Sequence, residues 1–293
     1  MNKTLFVFLL SFTLAACNEP ATAPSTAAPA VAESNTAPPA AQTETQTETE
    51  RLNAWFDEKY EEQLQFSPIA MTFQGRKDRY GELDDYSVEA EDARLEWRRQ
   101  SVEEMQREFD YDALTQEAQT SWDIWTYQYE QAARAAEFRY NGLVFEQMNG
   151  AQGFLPTFLL SFHNVATVSD FDAFVSRLSE AARALDQLIE RAEASAELGV
   201  ITPGFALTKA VDQARNVITG APFTEGDDSA IWAGAKSNIN SLVEASLLEQ
   251  PEADALLERA GSALTQDFGP AFERVIAWAE SEMDKVPEVS TGL

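Results

Sequence analysis

One histidine, His163, and one cysteine, Cys17, are the only imidazole and thiol in 293 residues. An imidazole suits general acid–base work near neutral pH, and Ser161 and Asp170 lie close to His163 in sequence, so the sharpest catalytic reading is a lone general base or a Ser-His-Asp set. No nucleophile elbow accompanies them, and a capping or core histidine, hydrogen-bonded at the end of a short helix, fits the same pattern. The pairs Glu61-Glu62, Asp84-Asp85 and Glu103-Glu104 resemble catalytic carboxylate pairs, but 49 acidic residues generate such neighbours by composition, and most should be solvated. A catalytic zinc site takes about three ligands from histidine, cysteine and carboxylate, which one histidine and one distant cysteine do not supply. There is no His-Glu-x-x-His, no phosphate-cradling Gly-Lys-Ser/Thr and no dinucleotide fingerprint. The sequence therefore assigns no catalytic or metal-binding residue and no cofactor, and it leaves the substrate-binding residues unknown.

Cys17 has a different use. Lys3 is a short positive n-region, Leu5 to Leu14 an apolar h-region too short to span a bilayer as a mature helix, and Leu14-Ala15-Ala16-Cys17 follows at once. The tetrapeptide looks like the lipobox of bacterial lipoproteins, with residues 1–16 as signal peptide and the Cys17 thiol as the lipid-attachment nucleophile. Asn18 beside it resembles the outer-membrane sorting pattern. The expected location is the cell envelope, with a lipid anchor in the outer membrane and the protein facing the periplasm. A formal charge of −28 repels phosphate backbones and anionic headgroups, so nucleic acid is an improbable partner, and membrane attachment must come through lipid on Cys17. A single cysteine permits no disulfide framework.

Residues 17–50 are rich in Pro, Ala, Thr and Glu with little that is large and apolar, which predicts a disordered tether. From Leu52 onward nearly every apolar run recurs at three and four residues, so residues 51–293 are expected to be all-α, an irregular array of about seven to nine helices. Ser67-Pro68, Ser87, Thr115, Ser169, Thr202-Pro203 and Pro251 read as helix starts, and Gly75, Gly199 and Gly220 as stops. Trp122, Trp125, Tyr129 and Tyr140 form an aromatic stripe suited to core packing or to a ligand groove. The strongest periodicity runs through Phe171, Phe174, Leu178, Ala181, Leu185, Leu188 and Ala192, a buried bundle helix. Phe205, Val211, Ala214 and Ile218 are expected inward on the next helix. Gly269-Pro270 should kink the C-terminal helix.

The segment Asn141 to His163 interrupts this pattern. Gly142, Gly150 and Gly153 are free to take positive φ, Pro156 can open a short helix, and Phe158, Leu159 and Phe162 read as buried. Long helices flank the segment, so it should be the hub against which they pack.

The order of Ser67-Pro68, Phe73-Gln74-Gly75, Gln147-Met148-Asn149-Gly150 through Phe158-Leu159, and Gly199-Val200-Ile201-Thr202-Pro203 resembles the N-terminal half of the bacterial domain of unknown function 885 family over about residues 51–290. The resemblance implies an exported, often lipid-anchored helical protein, similar to zinc metallopeptidases whose His-Glu-x-x-x-Gly-His-type motif lies in a C-terminal half. This chain reaches Ser290 to Leu293 about where that half would begin, so zinc is implied only for the missing half and no catalytic residue carries over. Two functions follow as expectations: a substrate-cleft half of a peptidase-like protein, inactive alone, or a stand-alone acidic helical lipoprotein that binds or scaffolds. On the first, a separate C-terminal half or a homodimer would cover apolar surface near Asn141 to His163 and near Trp278, with a peptide as substrate.

Overall fold

A helix begins at Glu48, four residues before the first apolar position of its stripe, because the Thr47 hydroxyl accepts from the Glu50 N–H while the Glu50 carboxylate accepts from the Thr47 N–H at 2.8 Å. This capping box starts the helical part inside the expected tether. The computed structural model describes residues 46–286. The signal peptide, Cys17 and tether residues 17–45 lie outside the described residues.

Ten α-helices follow, with no β-strand among the described residues: α1 Glu48–Leu64, α2 Pro68–Phe73, α3 Val88–Glu108, α4 Gln116–Ala136, α5 Ala151–Ser161, α6 Val168–Glu197, α7 Gly204–Val217, α8 Ala230–Glu244, α9 Gln250–Ala263 and α10 Gly269–Met283. Side chains of Ser67, Ser87, Thr115 and Ser229 cap α2, α3, α4 and α8, each accepting from an N–H three residues on. Gly75 and Gly199 take positive φ just past α2 and α6, as helix stops require. At the start of α6 the cap is Thr167 rather than Ser169, because Asp170 completes a capping box with Thr167. Pro203 is itself the N-cap of α7, which turns Phe205 outward, 66 % exposed, while Ala206 and Leu207 go inward.

α6 is the axis of the fold. Its 30 residues make a rod of about 45 Å. Every residue of the expected stripe from Phe171 to Ala192 is buried. Each large apolar side chain so buried is worth about 2 kcal/mol of transfer free energy, so this face contributes substantially to the stability of the array. α5, α8, α9 and α10 pack around it, and α7 lies on α10. The C-terminal helix is not simply kinked at Gly269-Pro270. A π-helical turn over Leu264–Phe268 joins α9 to α10, and the Gly269 N–H donates to the Leu264 carbonyl five residues back. Pro270 has no N–H to give, and a Cβ on Gly269 would stand 3.0 Å from the Phe223 ring, so the widened turn absorbs both constraints.

α1, α3 and α4 form a smaller core of their own from Leu52, Trp55, Met105, Leu114, Ala118 and Trp122. The aromatic stripe of α4 serves this packing: Trp125 meets Trp55 and Phe56 at 5.7 and 5.4 Å between ring centroids, and its indole N–H donates to Ser101 Oγ at 3.0 Å.

Candidate functional site

His163 sits just past the end of α5 and is 5 % exposed. Both ring nitrogens are already engaged. Nε2 lies 2.9 Å from the Asp170 carbonyl and Nδ1 2.9 Å from Arg177 Nη1. A carbonyl can only accept and a guanidinium can only donate, so the ring is the neutral Nε2–H tautomer. Burial, with the Arg177 charge beside it, pushes the imidazole pKa down to about 4. Tyr80 stacks on the ring at 4.1 Å between centroids.

Arg177 completes the cluster. It is fully buried and donates to the Glu82 carbonyl at 2.9 Å, to Thr72 Oγ1 at 2.7 Å and to His163, with the faces of Tyr80 and Phe158 within 5 Å of its guanidinium carbon. No carboxylate pairs with it among the described residues. Burial lowers its pKa to about 10, which leaves it charged at neutral pH. Carbonyl dipoles and aromatic faces replace a counter-ion, and the cluster ties α2, the Tyr80–Glu82 turn, the end of α5 and α6 at one point.

These contacts remove the Ser-His-Asp reading. Ser161 is exposed and makes no hydrogen bond to His163. Asp170 meets the ring only through its backbone. Burial works against the Asp170 carboxylate, but Lys77 at 2.7 Å and N–H groups of the α6 cap outweigh it and hold its pKa below the usual range. The carboxylate pairs are likewise divided among separate partners. Glu61 bonds Arg76 and Glu62 bonds Lys59. Asp84 receives the Ser67 hydroxyl and the Ile69 N–H, whereas Asp85 receives the Ser87 N–H and the Gln187 amide. Glu103 pairs with Arg99 and Glu104 with Lys59 and Trp55. Among the described residues no group of three or more His, Cys, Asp or Glu is placed to hold a metal ion.

The hub borders an open cavity. The hub loop is pinned by side-chain donors: Gln152 Nε2 donates to the Glu146 carbonyl at 2.6 Å, Gln213 Nε2 to the Gln147 carbonyl at 2.9 Å, and the Thr202 hydroxyl to the Phe145 carbonyl at 2.9 Å. The hub glycines do not take positive φ. Gly150 is needed for closeness instead, since a Cβ there would stand 2.4 Å from the Glu146 carbonyl oxygen. Pro156 lies inside α5, which begins five residues earlier at Ala151. Phe158 and Leu159 are buried, but Phe162 is 48 % exposed because α5 ends at Ser161 and the helical spacing lapses. Phe73, with its ring centroid 4.8 Å from that of Phe162, is exposed, as are Met148 and Phe154 of the hub, whereas Trp278 is half-buried against Phe145.

Beside the hub lies an open cavity of about 360 Å³. Tyr86, Arg139, Asn149 and Arg191 supply its polar wall, and Val144, Phe154 and Leu188 belong to its apolar wall. Burial pushes the Tyr86 phenol pKa up, so the hydroxyl stays a donor at any ordinary pH. Glu91 and Asp92 stand behind the arginines: Arg139 Nη2 bonds Asp92 at 2.6 Å and Arg191 Nη2 bonds Glu91. The pattern reading assigned none of these four polar residues. Arg191 was the findable one, three residues after Leu188 on the flank of the α6 stripe.

The family described as "Bacterial protein of unknown function (DUF885)" matches residues 68–292. No curated protein is a significant match. Among solved structures the chain is similar to a candidate lipoprotein from Colwellia psychrerythraea, with a TM-score of 0.66 and 13% identity over 83% of this chain and 43% of that one. The chain thus spans less than half the length of that relative, and the likeness is one of fold.

Proposed function

The chain belongs to the bacterial domain of unknown function 885 family, and from that premise we propose that it is a cell-envelope protein, lipid-anchored through Cys17 in the outer membrane, that recognises a ligand in its hub cavity and performs no catalysis alone. It would form the substrate-cleft wall of a metallopeptidase-like assembly, with a peptide as ligand and any zinc held elsewhere. One contrast carries the reading: the sole imidazole has both nitrogens committed to Arg177 and Asp170, while an open cavity with unspent donors lies beside the hub. The likeness of fold to a longer chain supports the role of one part in a larger whole.

The buried core around α6 favours the second reading, a stand-alone binding lipoprotein, because thirty residues close into one continuous cluster. Size-exclusion chromatography with a hydrophobic dye separates the two: a compact, dye-silent monomer favours the stand-alone module, and a dye-binding or self-associating species the cleft half. A peptidase assay with added zinc tests the common claim, and zinc-dependent turnover by the purified chain overturns it, whether or not it survives His163→Ala. For the anchor, Cys17→Ala should release a soluble or unprocessed species; a variant of mature length that still sediments with membrane refutes it.

A further inference from the structure

The charged side chains on the cavity wall are two arginines, in a chain whose formal charge is −28. Their acids do not line the cavity. Asp92 and Glu91 each take one Nη2, and the Arg139 Nε reaches the Ala136 carbonyl at 3.2 Å. Arg139 Nη1 and Arg191 Nη1 and Nε are left with no hydrogen-bond partner among the described residues, and none of the three is a buried orphan. They are wet donors on residues that line an otherwise largely apolar slot. Asp92 and Glu91 hold the guanidiniums in place from behind, a device that lowers the ordering cost of a charge-assisted bond.

We propose that this cavity binds a carboxylate carried on an apolar group, with the free guanidinium N–H groups of Arg139 and Arg191 on the carboxylate and Val144, Phe154 and Leu188 around the apolar part. The proposal rests on the reading of the hub cavity as a binding site and names its ligand class. Two arginines and two acids sum to no net charge, so recognition comes from directed donors in a partly dry slot rather than from a positive field. A volume of about 360 Å³ is at the small end of ligand sites and suits a short acyl chain or the last residues of a peptide.

Calorimetric titration of the full chain with octanoate, octanamide, and a short apolar peptide in free-acid and amidated forms tests this. The acids should bind at least about tenfold more tightly than their amides, as a charge-assisted hydrogen bond implies. The free-acid peptide and octanoate arms distinguish the two sources of the carboxylate. Arg139→Lys and Arg191→Lys should each shrink the preference for acid. Gly142→Leu should abolish binding of every probe with the fold intact, because Gly142 lines the cavity and a Cβ there meets nothing within 4 Å. Equal binding of acid and amide, blocked by Gly142→Leu, overturns the ligand class and leaves the cavity reading standing. No binding by any probe, or binding indifferent to Gly142→Leu, overturns both.

Discussion

Acid should find one weak point in this fold, and the chain carries a single reporter for it. His163 has an ordinary pKa of 6.5, and in the folded protein burial and Arg177 push it down to about 4. Above pH 6.5 the ring is neutral whether the chain is folded or not, so its contribution is fully present. Between 6.5 and 4 the unfolded chain takes up a proton that the folded chain refuses, and stability falls with pH. The loss is about 2 kcal/mol between pH 7 and pH 5 and reaches about 3 kcal/mol below pH 4, a large share of a typical domain's stability. The structural reason is that a proton on Nδ1 would face the Arg177 guanidinium at 2.9 Å, converting a hydrogen bond into a contact between cations. Because there is only one histidine, selective isotope labelling yields one imidazole spectrum. It should show the neutral Nε2–H tautomer at pH 7 and no titration near 6.5 while the protein stays folded. Denaturant unfolding of wild type and His163→Gln at pH 7 and pH 5 should show the wild type losing about 2 kcal/mol more than the variant. A ring that titrates near 6.5 in the folded protein, or equal losses in the two proteins, would refute the argument.

Arg177→Met should destabilise by about 3 kcal/mol, since it leaves the Glu82 carbonyl and His163 Nδ1 unsatisfied in a buried site; in the same variant the His163 pKa should rise, because the Arg177 charge helps to depress it. Unfolding curves and the imidazole spectrum check the two halves separately. Gly199→Ala should cost about 1 kcal/mol through backbone strain alone, because φ is +81° and a Cβ there meets nothing within 4 Å; a thermal midpoint equal to wild type would contradict it.

What could be read before folding was whatever depends on near neighbours. The stripe from Phe171 to Ala192 repeats at three and four, and the caps Ser67, Ser87 and Thr115 are each followed by helix formers, so α2, α3 and α4 begin, and the buried face of α6 lies, where the pattern puts them. Pattern and structure differ where two local rules compete. Thr167 and Ser169 are both hydroxyl caps, and Asp170, three residues after Thr167, decides between them. Pro156 signals a helix start, yet its fixed φ also suits a helix interior when one hydrogen bond is forgone. Arg191 flanks the α6 stripe in sequence, but the cavity and the buried cluster as assemblies were illegible because their members come from segments far apart in the chain, as with Tyr86, Arg139 and Arg191. One clue did exist. Arg177 lies three residues after Phe174 and four before Ala181, on the apolar face itself, and a lone cation there signals a buried polar arrangement.

The small core of α1, α3 and α4 shares no buried residue with the core around α6. Six buried side chains, with Phe56, Phe109, Tyr111 and Trp125 packed on them, hold it against thirty buried residues in the larger core, so these helices should open as a unit for less free energy than global unfolding requires, and their amides should exchange with solvent through that partial opening. Arg139, just past α4, lines the same cavity as Leu188 and Arg191 of α6, while Tyr86, just before α3, lines it from the α6 side, where it packs against the larger core. A ligand lodged there would bridge the two cooperative units and be lost when the smaller one opens. By linkage its binding free energy is added to the cost of that opening, so occupancy would be recorded as slowed exchange along α3 and α4, in amides that never touch the ligand.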